Sequence, residues 1–327
     1  MRTHLVLRLV TLFVLGMATT LGYGQANFPS RPLRLIIPYP AGGPTDVVGR
    51  VVAAKMGEGL GQTIVIDNRG GASGVIGTAE LARSNPDGYT LLFHIVTTAA
   101  INPHIYRKVQ FDWIKDFQAL ARIAIVPNVL LIYKDVPAKN VKELIALAKA
   151  SPGKLSYASS GNASLLHLSG ALFAQQAGID ILHVPYKGAA PALQDITAGN
   201  VTMIFANIPG LLGIIKSGQM RALAVTTGER IPSLPDVPTM VESGLPKFQN
   251  ASWYSLFTRA GLPPPVLSRL EREALRAIND PETIGRLKEM GAVPAPMGVT
   301  QFDRFWRSEI EYWKPIVLNP AIKLEQN

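Results

Sequence analysis

The amino-acid pattern predicts an α/β protein with mostly parallel sheet, and three observations carry that reading. Leu33-Arg34-Leu35-Ile36-Ile37 has the composition of a buried strand, and Val47, Val48, Val51, Val52, Met56 and Leu60 recur at the three- and four-residue steps of one helix face. Thr63–Ile66 reads as a second strand, so a strand–helix–strand unit fits within about 35 residues. The same order returns in mid-chain: a short strand over Lys154–Ala158, a loop of small polar residues, and a helix whose face includes Leu165, Leu168, Leu172 and Phe173. Alternation of short strands and helices then continues towards the C-terminus.

The first loop, Pro38-Tyr39-Pro40-Ala41-Gly42-Gly43-Pro44-Thr45-Asp46, is the segment around which the rest is organised. Gly42-Gly43 lets the backbone approach a bound group, and Pro44 suits a first helical position because its missing N–H would be unpaired there. The free N–H groups of that turn, with the helix dipole behind them, suit an anion; a plain tight connection has the same sequence. Asp46 is first of all a favourable partner for the dipole. After a glycine-rich stretch (Gly70, Gly71, Gly74, Gly77), a helix is expected near Val75–Arg83 and a strand over Tyr89–Phe93, with His94 in the loop beyond it.

The segment from Asn102 to Phe117 lacks periodicity and reads as irregular. Leu120–Tyr133 is largely apolar, interrupted at Pro127-Asn128, and could carry the chain from one domain into another. A helix follows over Pro137–Ala150. Ser159-Ser160-Gly161-Asn162-Ala163-Ser164 opens the next helix with strong N-cap residue types. Strands are expected at Ile181–Val184, Val201–Ala206 and Arg221–Thr226, the last returning towards the first domain. Ile231–Pro246 is a proline-rich ordered loop. Helices near Val266–Ile278, Pro281–Met290 and Thr300–Tyr312 close the chain, with Trp306 and Trp313, seven apart, read as core or domain-surface packing. Trp253 and Tyr254 are read as packing residues in preference to a roof over a cleft.

At 327 residues the chain makes one large domain or two ordinary ones. Residues 1–26 have the form of a removable secretory signal: basic Arg2 and Arg8, an apolar run over Leu9–Leu21 and small residues up to Gly24-Gln25-Ala26. That run is too short to span a bilayer comfortably, which takes about 20 residues. The absence of cysteine excludes disulfides, thiolate metal sites and a cysteine nucleophile. Arg2 and Arg8 carry two of the nine net positive charges, leaving +7 on the exported chain. The lysines and arginines are dispersed and no nucleic-acid motif is present, so small anions are the expected partners and nucleic acid is not.

No catalytic constellation stands out. The pattern Gly71-Ala72-Ser73-Gly74-Val75 lacks the closing glycine of a nucleophile elbow, and neither a P-loop nor a dinucleotide fingerprint occurs. His94, His104, His167 and His183 are not at zinc-site spacing. His167 and His183 are read as structural, whereas His94, directly after a strand, is open to a site role.

Taken together, the chain resembles the periplasmic solute-binding proteins of tripartite tricarboxylate transporters, the Bug family. The resemblance runs from about Phe28 to Glu325 and rests on residues 38–46, Asn68–Gly77, Pro86–Leu92, Ser159–Leu168, His183–Gly188, Arg221–Thr226 and Leu234–Thr239, all in order. It implies a two-domain periplasmic binding protein of type II-like α/β fold. Domain I would comprise residues 27–124 and 226–327 and domain II residues 125–225, with a ligand cleft between them. The family's carboxylate-gripping loops fall on Ala41, Gly42, Gly43 and Asp46 and on Ser159, Ser160, Gly161, Asn162 and Ser164. Tyr39, His94 and Asn207 complete the expected ligand-binding set. Pro44 and His94 stand where the family commonly has glycine, and Phe205-Ala206-Asn207 replaces a frequent Phe-Asp-Asn; the lost acid favours an acidic ligand without an amino group. The resemblance further implies a periplasmic monomer without a cofactor, which delivers a small carboxylate to separately encoded permease subunits. Reporting to a membrane sensor kinase is an alternative, and an exported α/β hydrolase a more distant one.

Overall fold

A computed structural model of the chain describes residues 28–319; the expected signal segment, residues 1–26, lies outside them. The chain begins with β1 (Leu33–Ile37), α1 (Pro44–Leu60), β2 (Ile64–Asn68), α2 (Val75–Ala82) and β3 (Thr90–Ile95). A π turn over Thr97–Ile101 leads into the short α3 (Asn102–Ile105), and β4 (Phe117–Tyr133) follows. The middle of the chain forms α4 (Val141–Ala150), β5 (Ser156–Ser159), α5 (Leu165–Ala177), β6 (Leu182–Pro185), α6 (Ala189–Thr197), β7 (Met203–Asn207), α7 (Leu212–Lys216) and β8 (Met220–Val225). Then come β9 (Ala251–Arg259), α8 (Pro264–Asn279), α9 (Pro281–Glu289), β10 (Val293–Met297) and α10 (Val299–Val317).

The strands form one curled sheet in the order β2-β1-β3-β9-β4-β7-β5-β6, with β8 and β10 also paired to β4. Pairing is parallel for β1 with β2 and β3, and for β5 with β6 and β7. It is antiparallel wherever β4 or β9 takes part. The sheet is therefore mixed and not mostly parallel. The physical reason is β4: 17 residues long, it joins two parallel halves and runs against every neighbour.

Pro127-Asn128 marks the exchange of partners. Phe117–Pro127 pairs with β9, and Asn128–Ile132 pairs with β7. Proline has no N–H for the ladder, so it is tolerated where one neighbour ends and another begins. The crossing is stitched by polar groups. Thr226 N–H donates to the Asn128 carbonyl at 2.9 Å, Asn250 N–H to the Thr226 carbonyl at 3.0 Å, and the Asn128 side-chain amide to Asn250 Oδ1 at 3.0 Å.

Several expectations change. The stretch after Asn102 is not wholly irregular, since it begins with α3. β10 was not foreseen because Val-Pro-Ala-Pro-Met carries two prolines; it pairs only loosely with β4, at Val293, Pro294 and Met297. β3 extends to Ile95, which puts His94 inside a strand and not in the loop beyond.

Each half has apolar side chains on both faces of its sheet. In the first half, α1 and α8 cover one face (Leu35, Ile37, Val52, Phe93, Leu270) and α10 the other (Leu92, Phe257, Phe302, Trp306, Trp313). Helix α1 lies so close to the sheet that a Cβ on Gly49 would sit 2.7 Å from Ile37. Trp253 and Tyr254 are buried, as their packing role requires. Leu165 and Leu168 of α5 join the α10-side cluster, so the second half is seated on the first at the start of α5.

Candidate functional site

Between the halves lies a cavity of about 20 Å³, lined by Tyr39, Pro40, Gly43, Pro44, Thr45, Ile95, Ser160, Leu166, Ala189, Ala190 and Asn207. Wider clefts of about 570 and 740 Å³ open on the first half, but neither is lined by residues of 38–46 or 159–164. Three helix N-termini meet at the inner cavity: α1 through Gly43, Pro44 and Thr45, α5 through Leu166, and α6 through Ala189 and Ala190. No lining residue carries a formal charge, so the local potential comes from these positive dipole ends.

The α1 loop is preformed around Asp46. Pro44 occupies the first turn as expected, with Gly43 as N-cap. By position the N–H groups of Gly43, Thr45 and Asp46 have no intrahelical acceptor, while Pro44 has no donor to offer. Gly42 N–H donates to Asp46 Oδ2 at 2.9 Å, Arg50 Nε to the same oxygen at 2.9 Å, and Asn68 Nδ2 to Oδ1 at 3.0 Å. Burial of this carboxyl raises its pKa. The hydrogen bonds from Arg50, Gly42 and Asn68 outweigh that effect and hold it below the usual aspartate range.

The α5 loop spends most of its donors on itself. Ser164 caps the helix by accepting from His167 N–H at 3.2 Å, and Ala163 N–H donates to His167 Nδ1 at 3.0 Å. Gly161 N–H donates to Ser159 Oγ at 3.2 Å. Bonds cross between the halves here, among them Ser73 Oγ to the Asn162 carbonyl at 2.7 Å and Leu165 N–H to Thr97 Oγ1 at 3.0 Å. Gly161 has φ +135°, and a Cβ there would lie 2.6 Å from Ser73 Oγ. Gly161→Ala is therefore expected to weaken ligand binding about tenfold and to destabilise the fold by about 1–2 kcal/mol, read by calorimetry and urea unfolding; an unchanged affinity would show that the loop's shape does not matter.

Of the predicted residues, Tyr39, Gly43, Ser160 and Asn207 line the cavity. Ala41 and Gly42 are exposed at the loop tip. Asp46, Ser159, Gly161 and Ser164 brace the loops from behind, and Asn162 meets Ser73 across the halves. Asn207 is oriented by Tyr254 Oη, which donates to its Oδ1 at 3.1 Å, and by a bond from its own Nδ2 to Asn128 Oδ1.

His94 is placed elsewhere. It is buried against Phe257 and Phe117 and bonded to Thr78 Oγ1 at 3.1 Å, on the strand face opposite the cavity-lining Ile95. Burial lowers its pKa to about 3, so it is a neutral core histidine. Ala206 likewise packs in the core of the second half and does not line the cavity, which removes the lost acid as a reason for ligand choice.

The expected ligand-binding set lacked Pro40, Pro44, Thr45, Ile95, Leu166, Ala189 and Ala190, the first three of them within the singled-out loop. The last two follow Lys187-Gly188 at the end of β6, a third strand–glycine–helix passage that repeats the signal of the first two.

A family model described as the tripartite tricarboxylate transporter family receptor matches residues 48–321. Protein BugT of Bordetella pertussis is 34% identical over 300 residues, 91% of this chain and 92% of that one. Among solved structures, R. palustris Rpa4515 with adipate is 34% identical with a TM-score of 0.87, covering 91% of this chain and 99% of that one. MatC (Rpa3494) from Rhodopseudomonas palustris with bound malate is 31% identical with a TM-score of 0.83, covering 89% and 100%.

Proposed function

Because the chain belongs to the tripartite tricarboxylate transporter receptor family, a family of periplasmic binding proteins, we propose that it captures a small carboxylate between its two halves and delivers it to membrane permease subunits. The observation that carries this reading is the convergence of three helix N-termini on an uncharged cavity. There a carboxylate would accept from the free amides of Gly43, Thr45 and Asp46 and from the Ser160 hydroxyl. The solved relatives with adipate and malate support the ligand class.

Residues 27–124 with 226–327 would form one domain and 125–225 the other, hinged where Asn128, Thr226 and Asn250 stitch the crossing. A cavity of about 20 Å³ has room for little more than one water. On this reading the halves part to admit the ligand and close over it, and the closed form is the one presented to the permease. We read the protein as a binder and not an enzyme because its family and fold are those of solute-binding proteins. Among the described residues no helix is long and apolar enough to cross a membrane.

No carboxylate lines the cavity, so an ammonium group on the ligand would find no charged partner there. Thermal unfolding of ligand-stripped protein with adipate, malate, their diamides and aspartate tests the reading. A diacid at about a hundred times its dissociation constant adds about 2.7 kcal/mol, a rise of several degrees. The diamides are expected to give no shift, and aspartate a smaller one than malate. A shift with the diamides equal to that with the acids would sink the carboxylate assignment.

A further inference from the structure

His167 on α5 and His183 on β6 stack face to face, with ring centroids 3.7 Å apart and planes within 9°; Tyr157 on β5 stacks on His183 at 4.9 Å. Neither ring lines the cavity between the halves. Both border an outer cleft of about 630 Å³ together with Tyr157, Gln175 and Asp180. Each ring turns one nitrogen towards the back of the α5 loop. His183 Nε2 lies 2.7 Å from Ser159 Oγ, and that hydroxyl also donates to the Gly161 carbonyl at 3.0 Å and accepts from Gly161 N–H at 3.2 Å.

With its one proton directed to Gly161, the Ser159 hydroxyl offers His183 an acceptor, which assigns the His183 proton to Nε2. His167 Nδ1 accepts from Ala163 N–H at 3.0 Å and is therefore unprotonated. The two nitrogens hold both ends of a segment that needs holding. Ala163 sits at φ +61° and Gly161 at φ +135°, and a left-handed non-glycine residue is unfavourable on its own.

We propose that His167 and His183 are positioning residues for ligand capture: as a stacked pair they clamp residues 159–163 from behind and so fix where Ser160 faces the cavity. The proposal rests on the carboxylate-binding reading above. Burial, with a smaller contribution from His183, lowers the pKa of His167 to about 3, and burial lowers that of His183 to about 4, so both rings are neutral and both bonds persist at neutral pH.

The chemistry of the two bonds selects the variants. In His167→Asn the amide oxygen takes the place of Nδ1 and still accepts from Ala163. In His183→Gln the amide N–H takes the place of Nε2–H and still donates to Ser159. His167→Leu and His183→Leu keep apolar bulk and lose the bond. Calorimetry with adipate at pH 7 should show the leucine variants at least tenfold weaker and the asparagine and glutamine variants within threefold of the parent. Nitrogen-15 spectra should show Nδ1 of His167 unprotonated, and exchange of the Ala163 amide should accelerate in His167→Leu but not in His167→Asn.

Leucine variants that bind within twofold of the parent would overturn the proposal, as would isosteric variants that lose as much as the leucine ones. Should one leucine variant fail to fold, the ring tautomers and the isosteric pair still decide. If the parent binds neither adipate nor malate, the carboxylate reading fails, while the Ala163 exchange pattern separately judges the clamp.

Discussion

Asp46→Ala is expected to cut adipate affinity by at least tenfold and to lower the unfolding free energy by about 2–4 kcal/mol. The carboxylate is buried and receives bonds from Gly42 N–H, Arg50 and Asn68. Truncation leaves the Gly42 amide and the Asn68 side chain without their acceptor, and the loop that presents Gly43 and Thr45 loses its brace. Arg50 is half exposed, so water recovers part of its charge interaction and the loss stays below that for a fully buried pair.

The pH dependence follows from the depressed pKa. A carboxyl whose folded pKa lies below its unfolded value stabilises the fold fully at pH above the unfolded value, ordinarily 3.8, and loses that contribution as pH falls through the folded value. The parent protein should therefore lose stability below about pH 4 more steeply than Asp46→Ala. Parallel acid limbs for the two, measured by urea unfolding across pH, would show that Asp46 contributes nothing through its charge.

Trp306→Ala should cost about 3–5 kcal/mol, the range for deleting a buried large aromatic. The indole is fully buried, packs edge-on against Phe257 with ring centroids 4.9 Å apart, and donates from Nε1 to the Ala99 carbonyl at 2.7 Å. That carbonyl belongs to the π turn over Thr97–Ile101, and Thr97 Oγ1 accepts from Leu165 N–H of the opposite half. The cavity left by Trp306 should thus loosen the contact between the halves, and adipate affinity should fall along with the urea midpoint. A cost below about 1 kcal/mol would mean that α10 repacks and does not anchor the turn.

Much of the architecture was legible locally. The helix face from Val47 to Leu60 and the strand Leu33–Ile37 each carry their own periodicity, and glycine, proline and Ser164 mark where helices begin and end. The two loops could be recognised because N-cap chemistry is written in adjacent residues. His94 could not be placed, since a strand end drifts by a residue or two without changing the local pattern, and one residue of register turns a side chain to the other face. β10 was invisible for a different reason: its two prolines argue against a strand, and only the neighbouring β4 supplies its partner.

By itself the sequence determined the α/β class, the two glycine- and hydroxyl-rich loops at helix starts, and the family, because these depend on neighbours within a few residues. Tertiary structure decided the mixed sheet, the third helix terminus at Ala189, the division of loop residues into those that line the cavity and those that brace it, and the stacking of His167 on His183. Those features join residues tens of positions apart, and no local pattern encodes which distant groups the packing of two sheet halves brings together.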